Sequence, residues 1–372
     1  MREQFKILVL ASVFAANLAQ AQESNIIPGK YIVILKEQTD LGSRVGDLIK
    51  GKVSSLLTSH GIDLSQAKHI YSGALKGFAA KLSEQERKLL ALDPRVQRIE
   101  ADQVYSVSQS TNYCPVPATQ PRQLLGWGPQ RIGYGAGTGK VAWVVDTGID
   151  LCHPDLNVDK VRSRSFIGTS ANDDHGHGTH VAGIIAAKNN SIGIRGVASN
   201  ALVVAVKVLG ANGQSSMSSV IAGVDYVYSN IKAGEVVNLS LGGGASQAMD
   251  DAVKRVAAKG AWVVVAAGND TQNAADYSPA RANGSNIFTI SAFRRGDAMA
   301  AFSNYGNPPV DYSLPGEDIY STYKNGSYAR MNGTSMAAPH MAGLLLLTNG
   351  ALKSGGYVSG DPDGRPDPIA VR

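Results

Sequence analysis

The 372-residue sequence has little cysteine, little net charge and no interior segment long and apolar enough to span a bilayer. Its two cysteines, Cys114 and Cys152, leave room for one disulfide. The formal net charge of +5 is small, and no basic cluster with interleaved aromatic residues occurs, which argues against nucleic-acid binding. Repeats and low-complexity segments are also absent. The composition, 44% hydrophobic with 41 glycines, is that of a globular protein with one large domain and a small one.

The first 21 residues have the pattern of a secretory signal peptide. Arg2 and Lys6 precede an apolar run at residues 7–16, and Ala19-Gln20-Ala21 follows it. That run is too short for a bilayer, so an uncleaved membrane anchor is disfavoured. We expect cleavage after Ala21 and a secreted product, extracellular or periplasmic, without a membrane span. In such a protein the two cysteines can pair.

Residues 30–104 form a compact unit with a pattern of their own. Strand-like runs and helical spacing alternate in the order β-α-β-β-α-β, and a capping box at Ser83 and Glu86 begins the second helix. This is the order of a small α+β ferredoxin-like unit. It could be a binding module, but its place between a signal peptide and a hydrolase-like region suggests a propeptide.

A polar stretch with several Ser and Pro residues, 105–125, follows and reads as a linker. We place the domain boundary and the processing site there. The predicted domains are therefore the signal peptide 1–21, a propeptide 22–108 that acts as an inhibitor or folding chaperone, and a catalytic domain 109–372.

From residue 139 onward, short Val-rich strands alternate with helices, which predicts an α/β fold. Strands are predicted at 141–145, 202–208, 236–239, 262–266 and 287–290, and helices at 177–188, 217–231, 247–259 and 335–347. Such a pattern indicates a parallel sheet with helices on both faces. Functional groups then gather at the carboxyl ends of the strands. Asp146 ends the first strand, and Asn269 closely follows the fourth. On residue type alone, each could also be a simple turn residue.

Ser335 stands among small residues at the start of the last predicted helix, after Gly333. Helix N-terminal N–H groups favour negative charge, and glycine permits close approach of another backbone. A serine nucleophile needs such donors and a histidine base. The plainer alternative is a small-residue helix start in a packed core.

Three histidines lie close together at 175, 177 and 180. A metal site is disfavoured, because there is no His-Glu-x-x-His arrangement and no cysteine nearby. His177, at a helix start, suits a general base, whereas His180 beside Val181 reads as a core histidine with a structural hydrogen bond. The chain order Asp146, His177, Ser335 differs from the Ser-acid-His order of α/β-hydrolases, and it is the order of subtilisin.

Four motifs in this order make the sequence resemble the subtilases, subtilisin-like serine proteases with an inhibitor-type propeptide. They are Val145-Asp146-Thr147-Gly148-Ile149-Asp150, His177-Gly178-Thr179-His180-Val181-Ala182-Gly183, Ala266-Ala267-Gly268-Asn269-Asp270 and Gly333-Thr334-Ser335-Met336-Ala337-Ala338-Pro339-His340. Tyr277-Ser278-Pro279-Ala280 looks more like the proteinase K branch. The resemblance spans residues 30–348 and implies a subtilisin-like parallel sheet.

The resemblance implies a secreted serine endopeptidase made as a zymogen. Ser335 would attack the peptide carbonyl, His177 would act as base and then acid, and Asp146 would orient His177. Asn269 matches the oxyanion-hole asparagine, with the Ser335 N–H as second donor. We expect Ser335 itself to cut the propeptide free between Tyr105 and Thr111. Two rivals stay open: an inactive subtilase-like binding protein and an esterase using the same triad.

The expected partners are protein or peptide substrates and the chain's own propeptide as an intramolecular inhibitor, with a monomeric enzyme. By resemblance, substrate pairs as an added strand with two backbone edges. The residues are Gly213, Gln214 and Ser215 on one edge and Ser240, Leu241 and Gly242 on the other. Met217 would line an outer pocket. Because no acidic cluster marks a strict processor of basic sites, we expect a broad or apolar preference.

The loop at residues 188–194 resembles the family's high-affinity structural calcium loop. The implied ligands are side-chain oxygens of Gln123, Asp155 and Asn190 and the carbonyl oxygens of Lys188, Ile192 and Ile194. An ordinary polar turn is the alternative.

Two features depart from the family. The N-terminal arm, 109–125, is longer than in subtilisin, and the chain after Leu347 is short and ends in a Pro-, Asp- and Gly-rich tail. The family layout brings the arm near the loop that leads to Asp155, since Gln123 is expected at the same calcium site. We therefore predict a Cys114–Cys152 disulfide. The tail indicates either a trimmed domain or different packing.

Overall fold

The computed structural model describes residues 25–36, 45–107, 110–116 and 120–372, and for 110–116 the backbone alone. The predicted signal peptide, 1–21, lies outside the described residues.

The N-terminal unit has the predicted β-α-β-β-α-β order. Its elements are β1 Ile26–Leu35, α1 Val45–Ser59, β2 Ala67–Tyr71, β3 Gly77–Lys81, α2 Glu84–Ala91 and β4 Val96–Val107, with a 3₁₀ turn at Leu64–Gln66. The antiparallel strands lie in the order β4-β1-β3-β2. The capping box of α2 is present, because Ser83 and Glu86 each accept from the other's backbone N–H. The helices cover one face of the sheet, so the unit has a core of its own around Val33, Leu56 and Phe78.

The large unit contains the remaining elements. Its helices are α3 Trp127–Ile132, α4 His177–Ala186, α5 Met217–Asn230, α6 Gln247–Ala258 and α7 Thr334–Thr348, with a 3₁₀ turn at Ala274–Asp276. Its strands are β5 Ser110–Val116, β6 Gly135–Ala136, β7 Val141–Asp146, β8 Asn157–Val158, β9 Arg164–Ser165, β10 Ala198–Ser199, β11 Leu202–Lys207, β12 Gln214–Ser216, β13 Val236–Leu239, β14 Leu241–Gly244, β15 Trp262–Ala266, β16 Tyr277–Ser278, β17 Ile287–Arg294, β18 Ala298–Met299, β19 Val310–Pro315, β20 Ile319–Tyr323, β21 Ser327–Asn332, β22 Lys353–Tyr357 and β23 Pro368–Val371.

The central sheet has the order β22-β23-β19-β17-β15-β13-β7-β11-β8, and the strands from β23 to β8 are parallel. Side chains of β7 alternate between two cores: Val144 packs on the side of α4 and α7, and Trp143 packs on the side of α5 and α6. The expected parallel sheet with helices on both faces is therefore confirmed.

Besides the separate core of the N-terminal unit, a second apolar core is formed jointly by both units. Ile32 and Tyr71 of the N-terminal unit are buried in the same cluster as Val220 of α5 and Val253 of α6. The last strand of the N-terminal unit continues beyond its own sheet and pairs with β12 and β14 of the large unit.

The stretch expected to be a linker is partly strand. β4 runs to Val107, and β5 pairs antiparallel with β21, with Cys114 opposite Arg330. Local composition predicts a loop there, but free strand edges on β12, β14 and β21 offer hydrogen-bond partners that the local sequence does not reveal.

The C-terminal tail packs as an edge hairpin. β22 and β23 pair antiparallel, and β23 joins the central sheet beside β19. Within the described part of the chain, the structure has no helix that is both long and apolar enough to cross a membrane.

Candidate active site

Three neighbouring strands bring the candidate residues to one edge of the sheet. Asp146 is the last residue of β7, Ser240 follows β13, and Asn269 closely follows β15. These strands are adjacent in the order β15-β13-β7. Helix α7 begins at Thr334, and the hydroxyl of its second residue, Ser335, donates to the carbonyl oxygen of Ser240 at 3.0 Å.

Asp146 and His177 form a buried pair. Asp146 Oδ1 lies 2.7 Å from His177 Nδ1, and both side chains are fully buried. The Thr147 N–H also donates to this oxygen at 2.7 Å. The contact fixes the orientation of the imidazole ring, and His177 Nε2 is left buried without a hydrogen-bond partner.

The start of α4 is held by a residue that the sequence analysis did not select. Asp173 is buried and accepts hydrogen bonds from Gly176 N–H, from the N–H and hydroxyl of Thr179, and from the Thr147 hydroxyl. These contacts fasten the first turn of α4, which carries His177, to the end of β7. The signal in the sequence is a carboxylate a few residues before His177, a common position for a helix cap.

Gly178 has to be glycine because α4 passes very close to the β7 turn. A Cβ added there would lie 2.1 Å from the Gly148 carbonyl oxygen and 3.1 Å from Asp146 Cβ. Any side chain at this position would push His177 away from Asp146.

The Asn269 side chain is held in position through its amide oxygen. Its Oδ1 accepts from Thr334 N at 2.9 Å and from the Thr334 hydroxyl at 3.1 Å. Its Nδ2 is buried and has no partner. A cavity of about 620 Å³ opens beside Asn269 and is also lined by Gly242, Gly243 and Tyr277. The site therefore holds an unused donor on Asn269 and an unused ring nitrogen on His177.

All six candidate substrate-edge residues lie along β4 or beside Ser335. Ser106 faces Gln214 on one edge and Gly242 on the other, Tyr105 faces Ser215, and Val107 faces Leu241. Gly213 accepts from the Val107 N–H at 3.1 Å, and Ser240 accepts from Ser335 as described.

Tyr105 fills a pocket between these edges. Its side chain is fully buried in a cluster that includes Met217 and Leu241, and a Cβ on Gly243 would lie 2.7 Å from the ring. Met217 itself contacts Gln103 of the N-terminal unit, whose Nε2 lies 3.6 Å from Met217 Sδ.

The six candidate calcium ligands also come together. Gln123 Nε2 lies within 3.5 Å of four oxygens: the carbonyls of Lys188, Ile192 and Ile194, and Asn190 Oδ1. Asp155 is fully buried beside them, where its carboxylate accepts from Asn190 Nδ2 at 2.8 Å and from Ile194 N–H at 3.0 Å. Burial raises the pKa of Asp155 to about 6.

His180 has the structural role expected for it. Its Nε2 lies 3.0 Å from the Ile319 carbonyl oxygen, and burial lowers its pKa to about 3. No group of three or more His, Cys, Asp or Glu side chains is arranged for a metal anywhere in the described ranges.

The predicted disulfide is not formed in the structure, where Cys152 is an exposed, free thiol. The side chain of Cys114 lies outside the described part. The backbone of β5 places Cys114 beside β21. The loop of Cys152 lies near the start of β21, because Asp150 accepts a hydrogen bond from the Gly326 N–H at 2.8 Å.

Comparison with known proteins agrees with this geometry. Residues 137–358 match the family model described as Subtilase family, and residues 30–108 match Peptidase inhibitor I9. An extracellular serine proteinase of Thermus sp. (strain Rt41A) is 38% identical over 363 residues, covering 91% of this chain and 84% of that protein. An alkaline serine protease of Corniculantispora psalliotae, ver112, is 36% identical over 346 residues, covering 88% and 82%. A crystal structure of a cold-adapted subtilisin-like serine proteinase superposes with a TM-score of 0.58 at 35% identity, covering 65% of this chain and 96% of that one.

Proposed function

Because this chain belongs to the subtilase family of serine proteases and carries an I9-type propeptide, we propose that Asp146, His177 and Ser335 are its catalytic triad. The observation that carries this proposal is the fully buried 2.7 Å contact between Asp146 and His177, with His177 Nε2 free. A buried imidazole held by a carboxylate is the base that a serine nucleophile requires. In the structure the Ser335 hydroxyl is bonded to the Ser240 carbonyl and not to His177.

The reaction begins when the Ser335 hydroxyl turns from the Ser240 carbonyl toward His177 Nε2. His177 takes the hydroxyl proton as Ser335 Oγ attacks the carbonyl carbon of the scissile peptide bond. Asp146 stabilises the imidazolium that forms and does not itself take up the proton. His177 then gives the proton to the leaving amine. Water then enters, loses a proton to His177 and attacks the acyl carbon. His177 returns that proton to Ser335 Oγ as the bond between Ser335 and the acyl group breaks, which releases the carboxylic acid product.

The negative oxygen of each tetrahedral intermediate is stabilised by two donors, Asn269 Nδ2 and the Ser335 N–H. Thr334 supports this role because its N–H and hydroxyl hold the other end of the Asn269 amide. Because the Asn269 side chain is already held in position, little free energy is spent on reorienting Nδ2 when negative charge develops on the substrate oxygen. Such a donor stabilises the transition state effectively.

Substrate binds as a strand between β12 and β14, in the place that β4 takes in the precursor. Gly213, Gln214 and Ser215 supply one edge, and Ser240, Leu241 and Gly242 supply the other. The buried Tyr105, which lies against Gly243, supports a pocket in this cleft that accepts an aromatic side chain, in keeping with a broad or apolar preference.

The same placement makes the N-terminal unit an intramolecular inhibitor, since β4 occupies the cleft as long as the unit stays docked. In β4, Ser106 lies opposite Gly242 and Val107 lies opposite Leu241. The chain of β4 therefore runs toward Ser240 and Ser335. We infer that Ser335 cuts between Tyr105 and Thr111, separating a propeptide, 22–108, from a catalytic domain, 109–372.

Labelling with a fluorophosphonate probe tests the triad. The mature wild-type protein should become labelled at Ser335, and the His177→Ala variant should react far more slowly because its serine lacks a base. A wild-type protein that folds and stays unlabelled would contradict the proposal. Comparing turnover of matched peptide amides and simple esters then separates a protease from an esterase.

We further propose a structural calcium ion at the Asp155 loop. The residues fit it, because three carbonyl oxygens and an amide oxygen converge on one point beside a buried carboxylate. Gln123 Nε2 occupies that point in the structure, and rotation of its amide would present Oε1 as an additional ligand. Calcium favours several oxygen ligands of this kind and would neutralise the buried Asp155.

We further propose that the chain is exported after cleavage at Ala21.

A further inference from the structure

A segment that the mechanism does not use holds the loop of Asn269 in place. We name residues 267–272 the Asn269 loop; it follows β15 and is hydrogen-bonded to the segment 301–305. The backbone of Thr271 has a φ of +54°, a left-handed conformation that is unfavourable for a β-branched residue. Its N–H donates to the Phe302 carbonyl oxygen at 3.2 Å. A loop with such a residue keeps its shape only where the surrounding structure fixes it.

Asn304 makes the largest share of these contacts, and it is fully buried. Its Oδ1 accepts from the backbone N–H groups of Asp270 at 2.9 Å and of Gln272 at 3.0 Å. Its Nδ2 donates to the Ala267 carbonyl oxygen at 3.0 Å, and its backbone N–H donates to the Gly268 carbonyl oxygen at 2.9 Å. These four hydrogen bonds flank the proposed oxyanion donor on both sides.

An amide side chain matches this set of partners. Two N–H donors meet one end of the Asn304 side chain and a carbonyl oxygen meets the other, so the side chain has to accept at one end and donate at the other. An ionised aspartate would place an oxygen against the Ala267 carbonyl and a charge in a fully buried position. The approach is also close, because a Cβ on Gly268 would lie 2.3 Å from Asn304 Nδ2.

The Asn269 side chain is fixed from the opposite side. Thr334 donates to its Oδ1 from the start of α7, and the Thr334 hydroxyl accepts from the Gly268 N–H at 3.1 Å. Thr334 therefore holds the Asn269 amide, while Asn304 holds the backbone that carries it. The position of the unpartnered Asn269 Nδ2 depends on both.

We propose that Asn304 is a positioning residue of the oxyanion hole, a role that rests on the proposed function of Asn269 as a donor. Through the backbone of the Asn269 loop, Asn304 sets the direction in which Nδ2 points. Both polar ends of its side chain are occupied by that backbone, so Asn304 acts through the loop and not by a hydrogen bond to substrate. A donor that stabilises only the developing charge contributes to kcat and little to KM, and a displacement of about 1 Å can cost on the order of a hundredfold in rate.

A double-mutant cycle on the mature enzyme tests this role, with active sites counted by fluorophosphonate labelling. Asn304→Ala should lower kcat on a peptide amide about ten- to a hundredfold and leave KM within about twofold. In the Asn269→Ala background, where no donor remains to be positioned, the same change should lower kcat by less than about threefold. A side chain that only stabilised the fold would instead act equally in both backgrounds.

Asn307→Ala is the matched control, because the Asn307 side chain ties a neighbouring part of the chain to the loop between β22 and β23, where Nδ2 donates to the Arg365 carbonyl oxygen at 3.1 Å. Its kcat should stay within about twofold of the wild-type value. A wild-type kcat in Asn304→Ala, or an equal loss in both backgrounds, would overturn the positioning role and leave the role of Asn269 intact. A wild-type kcat in Asn269→Ala would overturn both. If Asn304→Ala does not fold, Asn304→Ser is judged by the same criteria, because a serine hydroxyl is too short to bond the carbonyl and both N–H groups.

Discussion

At the scale of single residues, the site works through atoms left without partners. Thr334 uses the Asn269 oxygen and so leaves Asn269 Nδ2 free, and Asp146 uses His177 Nδ1 and leaves Nε2 free. Unsatisfied buried groups are unfavourable in the resting protein. In the proposed mechanism, a substrate oxygen and the Ser335 proton would provide the missing partners.

We predict that Asn269→Ala lowers kcat by about a hundred- to a thousand-fold, the size typical of removing one oxyanion donor from this class of protease. The reason is that Nδ2 stabilises charge present only in the transition state, so KM should change little. Steady-state kinetics on a peptide amide measure the effects on kcat and on KM separately. A loss seen entirely in KM would assign Asn269 to substrate binding instead.

Two buried histidines make the fold sensitive to acid. Burial lowers the pKa of His180 to about 3 and that of His340 to about 4, whereas an unfolded histidine titrates near its ordinary pKa of about 6.5. Between these values the unfolded chain binds more protons than the folded one. The stability that comes from keeping these histidines neutral is therefore complete above pH 6.5 and is lost as the pH falls through this range.

We predict that His340→Gln flattens this dependence. Near pH 5 the slope of unfolding free energy against pH should fall by about 1.4 kcal/mol per pH unit, the contribution of one proton. Denaturant unfolding of the Ser335→Ala protein between pH 4.5 and 6.5 measures the slope. An unchanged slope would mean that His340 is not held neutral by the fold, whatever the variant does to overall stability.

At the scale of elements, the N-terminal unit caps two helices of the large one. Asp102 accepts from the Ser218 N–H at 3.0 Å and from its hydroxyl at 2.6 Å in the first turn of α5. Glu100 accepts from the Ala248 N–H at 3.0 Å at the start of α6. Carboxylates at helix N-termini satisfy unpaired N–H groups and complement the helix dipole, so both units are stabilised by docking.

We predict that Asp102→Ala speeds dissociation of the cleaved propeptide about five- to thirty-fold, which corresponds to losing a cap of about 1–2 kcal/mol. The appearance of activity after dilution of the processed complex measures it. Asp63→Ala is the control, because Asp63 caps a turn within the N-terminal unit through Ser65. Equal rates for both variants would show that the Asp102 cap does not hold the inhibitor.

The sequence predicts which residues begin and end helices and strands better than it predicts the residues that contact them from elsewhere in the fold. Asp146 at a strand end, His177 and Ser335 at helix starts and Ser83 as a cap are local patterns, so they can be read directly. Asp102 and Glu100 were missed because each acts through contacts with residues that only the fold brings near. Asp173 was missed although its bonds to Gly176 and Thr179 are local, and only its bond to Thr147 depends on the fold. The strand in the N-terminal arm and the C-terminal hairpin were missed for the same reason, since sheet edges rather than local propensity create them.

At the scale of the whole molecule, the proposed calcium site would connect the N-terminal arm to the rest of the catalytic domain. Gln123 lies in the arm, Asp155 precedes β8, and Ile194 lies in the loop after α4. An ion bound by all three stabilises the folded state by mass action, because the unfolded chain does not assemble the site.

In the Ser335→Ala background, we predict that a chelator lowers Tm by about 4 °C relative to calcium at a hundred times Kd. Asp155→Ala should lower Tm as well and should remove most of the chelator effect. Scanning calorimetry with and without chelator measures both. A chelator effect equally large in the variant would remove Asp155 from the site.

The central claim is that Ser335 cuts its own chain next to the strand that blocks the cleft. The most direct measurement is the intact mass and N-terminal sequence of wild-type and Ser335→Ala proteins made in a host without other proteases. The account predicts a wild-type N-terminus between residues 105 and 111, and an uncut Ser335→Ala precursor of residues 22–372. A Ser335→Ala protein that matures normally would contradict it.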